Sequence, residues 1–98
     1  MGALLIINYE ITDLEAMEAY RAKGGEHLVV NGGGRPLVFT EDSLDLGEGN
    51  GVGPSTVVIE YDSVEDAKAA FYGEGYQSIV HERLEASRPF FAQIVPTL

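Results

Sequence analysis

The chain has 98 residues, no cysteine, and 16 acidic against 6 basic side chains, for a formal net charge of −10. That length makes one domain with a modest core, and the lack of thiols excludes disulfides, zinc–thiolate sites and thiol catalysis. The negative field repels phosphate backbones and anionic lipid, so nucleic acid and membrane surfaces are poor partners.

The opening stretch MGALLIINYE carries no basic residue, and its apolar run is too short for a secretory signal. No run approaches the roughly 20 apolar residues of a membrane helix. Ile6 stands where a myristoylation context needs Ser or Thr. The expected location is the cytoplasm.

Residues 3–11 (ALLIINYEI) read as a first strand. Alternation sets Leu5, Ile7, Tyr9 and Ile11 on one face and Leu4, Ile6, Asn8 and Glu10 on the other. Thr12-Asp13-Leu14-Glu15 reads as a capping box. The helix behind it has its stripe at Leu14, Met17, Tyr20, Gly24 and Leu28. Gly24-Gly25 weakens that helix, by about 1 kcal/mol each relative to Ala. Asn31-Gly32-Gly33-Gly34 supplies the left-handed conformation that ends it.

Residues 35–40 form a short second strand, with Pro36 at the start where a sheet tolerates it. Residues 41–54 (EDSLDLGEGNGVGP) are an irregular, acidic connection. Residues 56–61 (TVVIEY) alternate cleanly, Val57, Ile59 and Tyr61 against Val58 and Glu60. Ser63 with Asp66 is a second capping signal, and Val64, Ala67, Ala70 and Phe71 line the helix it opens. Gly73-Glu74-Gly75 interrupts that helix, which resumes through Tyr76, Ile79, Val80, Arg83 and Leu84. Pro89 forbids continuation past Arg88, and residues 90–95 make the last strand.

The order is β-α-β-β-α-β, a ferredoxin-like α+β plan with a four-stranded antiparallel sheet. Right-handed crossovers place both helices on one face. The other face then shows Leu4, Ile6, Val58 and one of Phe90 or Phe91, a patch that a small domain does not leave in water. A second copy stacking its sheet on the first buries it, and a two-fold homodimer is the expected assembly.

The run VVIEYDSVEDAKAAFYGEGYQSIVHERLEAS resembles the DUF1330 family. The likeness rests on the strand-to-helix junction at residues 57–61 with Ser63, Glu65 and Ala67, then on Tyr76-Gln77 and Arg83. The first half fits through Asp13-Leu14-Glu15-Ala16 and the Tyr20 helix, so the resemblance spans nearly the whole chain. It implies the dimeric α+β barrel superfamily, in which two ferredoxin-like subunits pack sheet to sheet. Two features depart from the family habit: Asn31 stands where a His usually precedes the Gly-Gly turn, and the middle connection is richer in glycine. Asn31 cannot transfer a proton in place of that His.

Nucleotide signatures fail. Residues 47–53 (GEGNGVG) match neither the dinucleotide nor the phosphate-loop pattern. His81-Glu82 is not the start of a zinc-protease helix, because Glu85 replaces the second His. The pairs His27/Asn31 and His81/Glu85 make too thin a ligand set, so neither a metal nor a cofactor is expected.

The strand faces and helices leave one place for chemistry. Asn8, Glu10, Glu60 and Thr40 point toward the partner, while Tyr20, His27 and Arg83 reach a cleft between sheet and helices. A buried Glu near a His has a shifted pKa and works as an acid or base. His27 and Glu60 are therefore the candidate catalytic pair, and Asn8, Glu10, Tyr20, Asn31 and Arg83 the candidate ligand-binding residues. The bland reading has these groups bonding across a dimer seam.

Three functions fit these residues. The first is a dimeric module binding a small organic molecule in the cleft. The second, implied by resemblance to the superfamily's monooxygenases and isomerases, is a cofactor-free enzyme. There His27 or Glu60 accepts the proton and Tyr20 or Arg83 orients the substrate. The third is a structural or stress-related dimer without a ligand.

Overall fold

The structure, a computed structural model, describes residues 2–98. Strand β1 (Ala3–Ile11) is central, pairing antiparallel with β3 (Ser55–Tyr61) and with β4 (Ser87–Pro96). Strand β2 (Arg35–Thr40) completes the order β2-β3-β1-β4. The alternation in β1 holds: Leu5, Ile7 and Tyr9 are buried, while Leu4 and Ile6 on the opposite face are half-buried. Burying a side chain such as Leu5 or Ile7 stabilises by about 1.5–3 kcal/mol.

Helix α1 spans Leu14–Gly25. Its cap is Asp13 rather than the expected Thr12: Asp13 Oδ1 accepts from the Ala16 amide at 3.0 Å. The amides of Thr12 and Asp13 are both drawn to the Ala86 carbonyl, which moves the start on by one residue. Leu14 is consequently 58% exposed, and the buried stripe begins at Met17. Beyond Gly25 the coil widens into a π-helical turn, Glu26–Val30, closed by the Asn31 amide on the Glu26 carbonyl at 2.8 Å. Gly33, at φ 75°, supplies the left-handed residue that turns the chain into β2.

The second helical region is in three pieces: α2 (Val64–Tyr72), α3 (Glu74–Gln77) and α4 (Val80–Glu85). Ser63 Oγ caps α2 by accepting from the Asp66 amide at 3.0 Å. Gly73 breaks the helix by adopting extended backbone, φ −62° and ψ 152°. Both helical layers lie on one sheet face, where Met17, Tyr20, Leu28 and Tyr76 form a single core with Leu5 and Ile7.

Strand β4 starts at Ser87, three residues earlier than Pro89 suggests. As an edge strand it tolerates a residue without an N–H, and its pairing with β1 slips between Asn8 and Tyr9 to take Pro89 in. The uncovered face carries Leu4, Ile6 and Val58 in adjoining positions, with Val38 and Phe91 beside them.

The connection from residue 41 to 54 contains no strand, and both of its ends are tied to the sheet. Ser43 Oγ meets Thr56 Oγ1 at 2.5 Å. Gly53 donates to Asn8 Oδ1 at 2.7 Å and accepts from Asn8 Nδ2 at 3.0 Å. Only glycine fits there, since a Cβ on Gly53 would lie 2.3 Å from the Tyr9 carbonyl oxygen.

Candidate functional site

A cavity of about 180 Å³ lies between α1 and the β2–β3 side of the sheet. Its floor is Ile7, Val57 and Ile59, and Leu28 and Phe39 close the sides. Gly24 opens it from the helix: a Cβ at that position would lie 3.1 Å from Tyr20 Cζ. The Gly24-Gly25 pair, which weakens α1, thus makes room beside it.

Against these apolar walls stands a buried polar chain. Arg83 Nε donates to Tyr76 Oη at 3.2 Å, and Tyr76 Oη shares a 2.5 Å hydrogen bond with Tyr20 Oη. Arg83 is 3% exposed, yet no carboxylate pairs with it among the described residues. Burial, and then the neighbouring Tyr76 phenol, push the Tyr20 hydroxyl far above its ordinary value, with Arg83 pulling weakly the other way. Tyr20 is therefore a neutral donor and acceptor, not a base. Burial likewise pushes Tyr61 up to about 12, and its hydroxyl donates to the Leu28 carbonyl at 2.7 Å.

Arg21 stands at the cavity's other side. Its guanidinium lies 4.5 Å from the centre of the Phe39 ring, and one Nη donates to Tyr9 Oη at 3.0 Å and to Glu41 at 3.2 Å. Its Nε is enclosed without a partner. Glu41 balances this arginine's charge; nothing balances that of Arg83.

The sequence-derived candidates separate into distinct places. Tyr20 and Arg83 come together on the cavity. His27 and Asn31 line a shallow groove with Asp66 and Gly75, where a Cβ on Gly75 would lie 2.5 Å from His27 Nδ1. Glu60 projects from the uncovered sheet face and pairs with Arg35 at 3.2 Å, so it does not meet His27. Glu10 is exposed and lies 3.7 Å from Arg88. Asn8 is 2% exposed and spends its amide on Gly53, Ser55 and Thr56. Arg21, Tyr9 and Phe39 were not singled out from the sequence; the one available signal was a basic residue directly after Tyr20 on the helix.

No His, Asp or Glu borders the cavity. Among the described residues no group of three or more such side chains gathers to hold a metal ion. No helix among them is long and apolar enough to cross a membrane.

The sheet order and the helices on one face define a ferredoxin-like α+β fold, similar to that of monooxygenase-type structures. The chain belongs to the DUF1330 family, described as a domain of unknown function, whose model matches residues 2–96. It is similar to a protein of unknown function from Rhodopseudomonas palustris, with a TM-score of 0.75 at 17% identity over 99% of this chain and 82% of that one. It is also similar to a protein assigned as an antibiotic biosynthesis monooxygenase from Chloroflexus aurantiacus, with a TM-score of 0.53 at 15% identity, over 99% and 92% of the two chains. At such identities the likeness concerns the fold. No curated protein matches the chain.

Proposed function

We propose that this protein binds a small organic molecule in the cavity between α1 and the sheet, without turning it over, and that it does so as a homodimer. One observation carries the binding reading: apolar walls enclose a few convergent polar groups, Tyr20 and Arg83, as ligand pockets do. The dimer is supported by the half-buried apolar row on the uncovered sheet face, which a second copy covers.

The enzyme reading draws on the likeness to the Chloroflexus aurantiacus protein, which is a likeness of fold. The geometry favours binding, because proton transfer needs a base within hydrogen-bond reach of the ligand. No carboxylate or imidazole borders the cavity, and His27 and Glu60 lie elsewhere.

Native mass spectrometry of gently purified protein tests both parts. The expected species is two chains with a small organic adduct, and Gly24→Leu, which fills the cavity, loses the adduct while keeping the mass of two chains. An adduct that persists in Gly24→Leu, or its displacement by a change at Asn31 instead, overturns the cavity as the site.

A further inference from the structure

The buried arginine identifies the ligand's chemistry. A guanidinium cannot discharge its proton at any ordinary pH, so Arg83 carries a full positive charge at 3% exposure. Buried charges are normally paired, because an isolated one is costly to remove from water. The four paired cations, Arg21, Lys23, Arg35 and Arg88, each have a carboxylate within 4 Å, although all are more exposed than Arg83. In a chain with 16 acidic residues, two cations have no carboxylate partner among the described residues: Lys68, which is exposed, and Arg83, which is deeply buried.

The donors of this group are only partly used. Nε is spent on Tyr76, and neither Nη has a hydrogen-bond partner among the described residues. They are not sealed off, because among the described residues the one enclosed polar side-chain nitrogen or oxygen without a partner is Arg21 Nε. Arg83 borders the cavity, so its guanidinium is within reach of a ligand there. The tyrosines add a further donor. Two hydroxyls share one hydrogen bond, which uses one of their two protons. With Tyr76 donating to Tyr20, the Tyr20 proton is left for a group in the cavity.

Resting on the cavity as the binding site, we propose that its ligand is a small monoanionic carboxylic acid with an apolar body. The carboxylate sits on the free edge of Arg83 and accepts from Tyr20, and the body lies against Ile7, Val57 and Ile59. One unbalanced cation at the cavity matches one negative charge, which favours a carboxylate over a doubly charged phosphate. Size follows from volume: a cavity of about 150 Å³ holds benzene in another protein, so about 180 Å³ suits a single ring or a short branched chain. The net charge of −10 works against anions at long range, so the preference arises at contact inside the cavity.

Matched probes test this with the intact protein: benzoate, its neutral counterpart benzamide, and toluene, each titrated by two-dimensional NMR at pH 7. Benzoate is expected to bind about tenfold or more tightly than benzamide, as a charge-assisted bidentate contact implies. Arg83→Gln removes that preference, while Arg88→Gln, on the surface, keeps it. Should Arg83→Gln fail to fold, intermolecular NOEs in the wild type take its place. Ring protons near Ile7 and Gly24 support the assignment, and ring protons near Arg88 or His27 overturn it. Benzamide or toluene binding as well as benzoate overturns the anion while leaving the cavity intact. No binding of any probe at millimolar concentration overturns the cavity itself.

Discussion

Arg83 Nε donates to the Tyr76 hydroxyl at 3.2 Å, a contact between two residues seven apart that spans the breaks separating α3 from α4. Through Tyr76 the arginine is joined to Tyr20 on α1, so one polar chain ties the two helical regions together beside the cavity. Removing a member leaves buried groups without partners.

Tyr76→Phe is expected to destabilise by about 1–3 kcal/mol, the cost of stranding buried donors and acceptors. Tyr20→Phe is expected to cost a similar amount. Because they share one bond, the double variant loses less than the sum of the two by at least about 0.5 kcal/mol. Urea unfolding of the four proteins measures this, and simple additivity would show that the hydroxyls act independently.

Stability is expected to fall in alkali. Tyr61 is raised from 10.0 to about 12 by burial, and Tyr20 is raised further by the same cause. Above pH 10 the unfolded chain releases phenolic protons that the folded chain still holds, so rising pH favours unfolding. For Tyr61 the loss begins near pH 10 and runs through about pH 12. Tyr61→Phe, though less stable at neutral pH for want of its bond to Leu28, should decline less steeply over that window. Thermal unfolding from pH 8 to 12 compares the slopes.

Asn8→Ala is expected to cost about 1–3 kcal/mol and to release the 41–54 connection. The side chain holds Gly53 by both its amide and its carbonyl, and alanine offers neither contact. Faster proteolytic nicking between residues 41 and 54, with the sheet core retained, is the expected readout. An unchanged cleavage rate would show that Ser43 and Thr56 suffice as anchors.

The proposed sheet-to-sheet dimer predicts that a charge on the uncovered face separates the subunits. Ile6→Glu, half-buried beside Val58, should give a single-chain mass in sedimentation at micromolar concentration, where the wild type gives two. A wild type that sediments as one chain would remove the dimer, and with it the reason for that apolar row.

Much of this architecture is legible in residue order, because its signals are local. The period of two in residues 3–11 separates Leu5 and Ile7 from Leu4 and Ile6 wherever the strand is placed. The Ser63 cap, the glycine break at 73 and the βαββαβ order follow from backbone preferences within a few residues. Local signals err where a distant group competes: the Ala86 carbonyl takes the Thr12 amide and shifts the α1 cap to Asp13. An edge position lets Pro89 into β4 for the same kind of reason.

The site was legible only in part. Tyr20 and Arg83 follow from helical stripes aimed at the sheet, but the stripe does not say that Arg83 arrives without a carboxylate. Asn8 and Glu60, polar residues on strands, look alike in sequence; one clamps Gly53 and the other faces Arg35. His27 and Glu60 are placed apart by the sheet between them. Local order determined the elements and their faces, because those depend on neighbours along the chain. Tertiary structure alone decided which polar groups meet, which are satisfied and where the buried unpaired charge lies, because those depend on contacts between residues as far apart as Tyr20 and Tyr76.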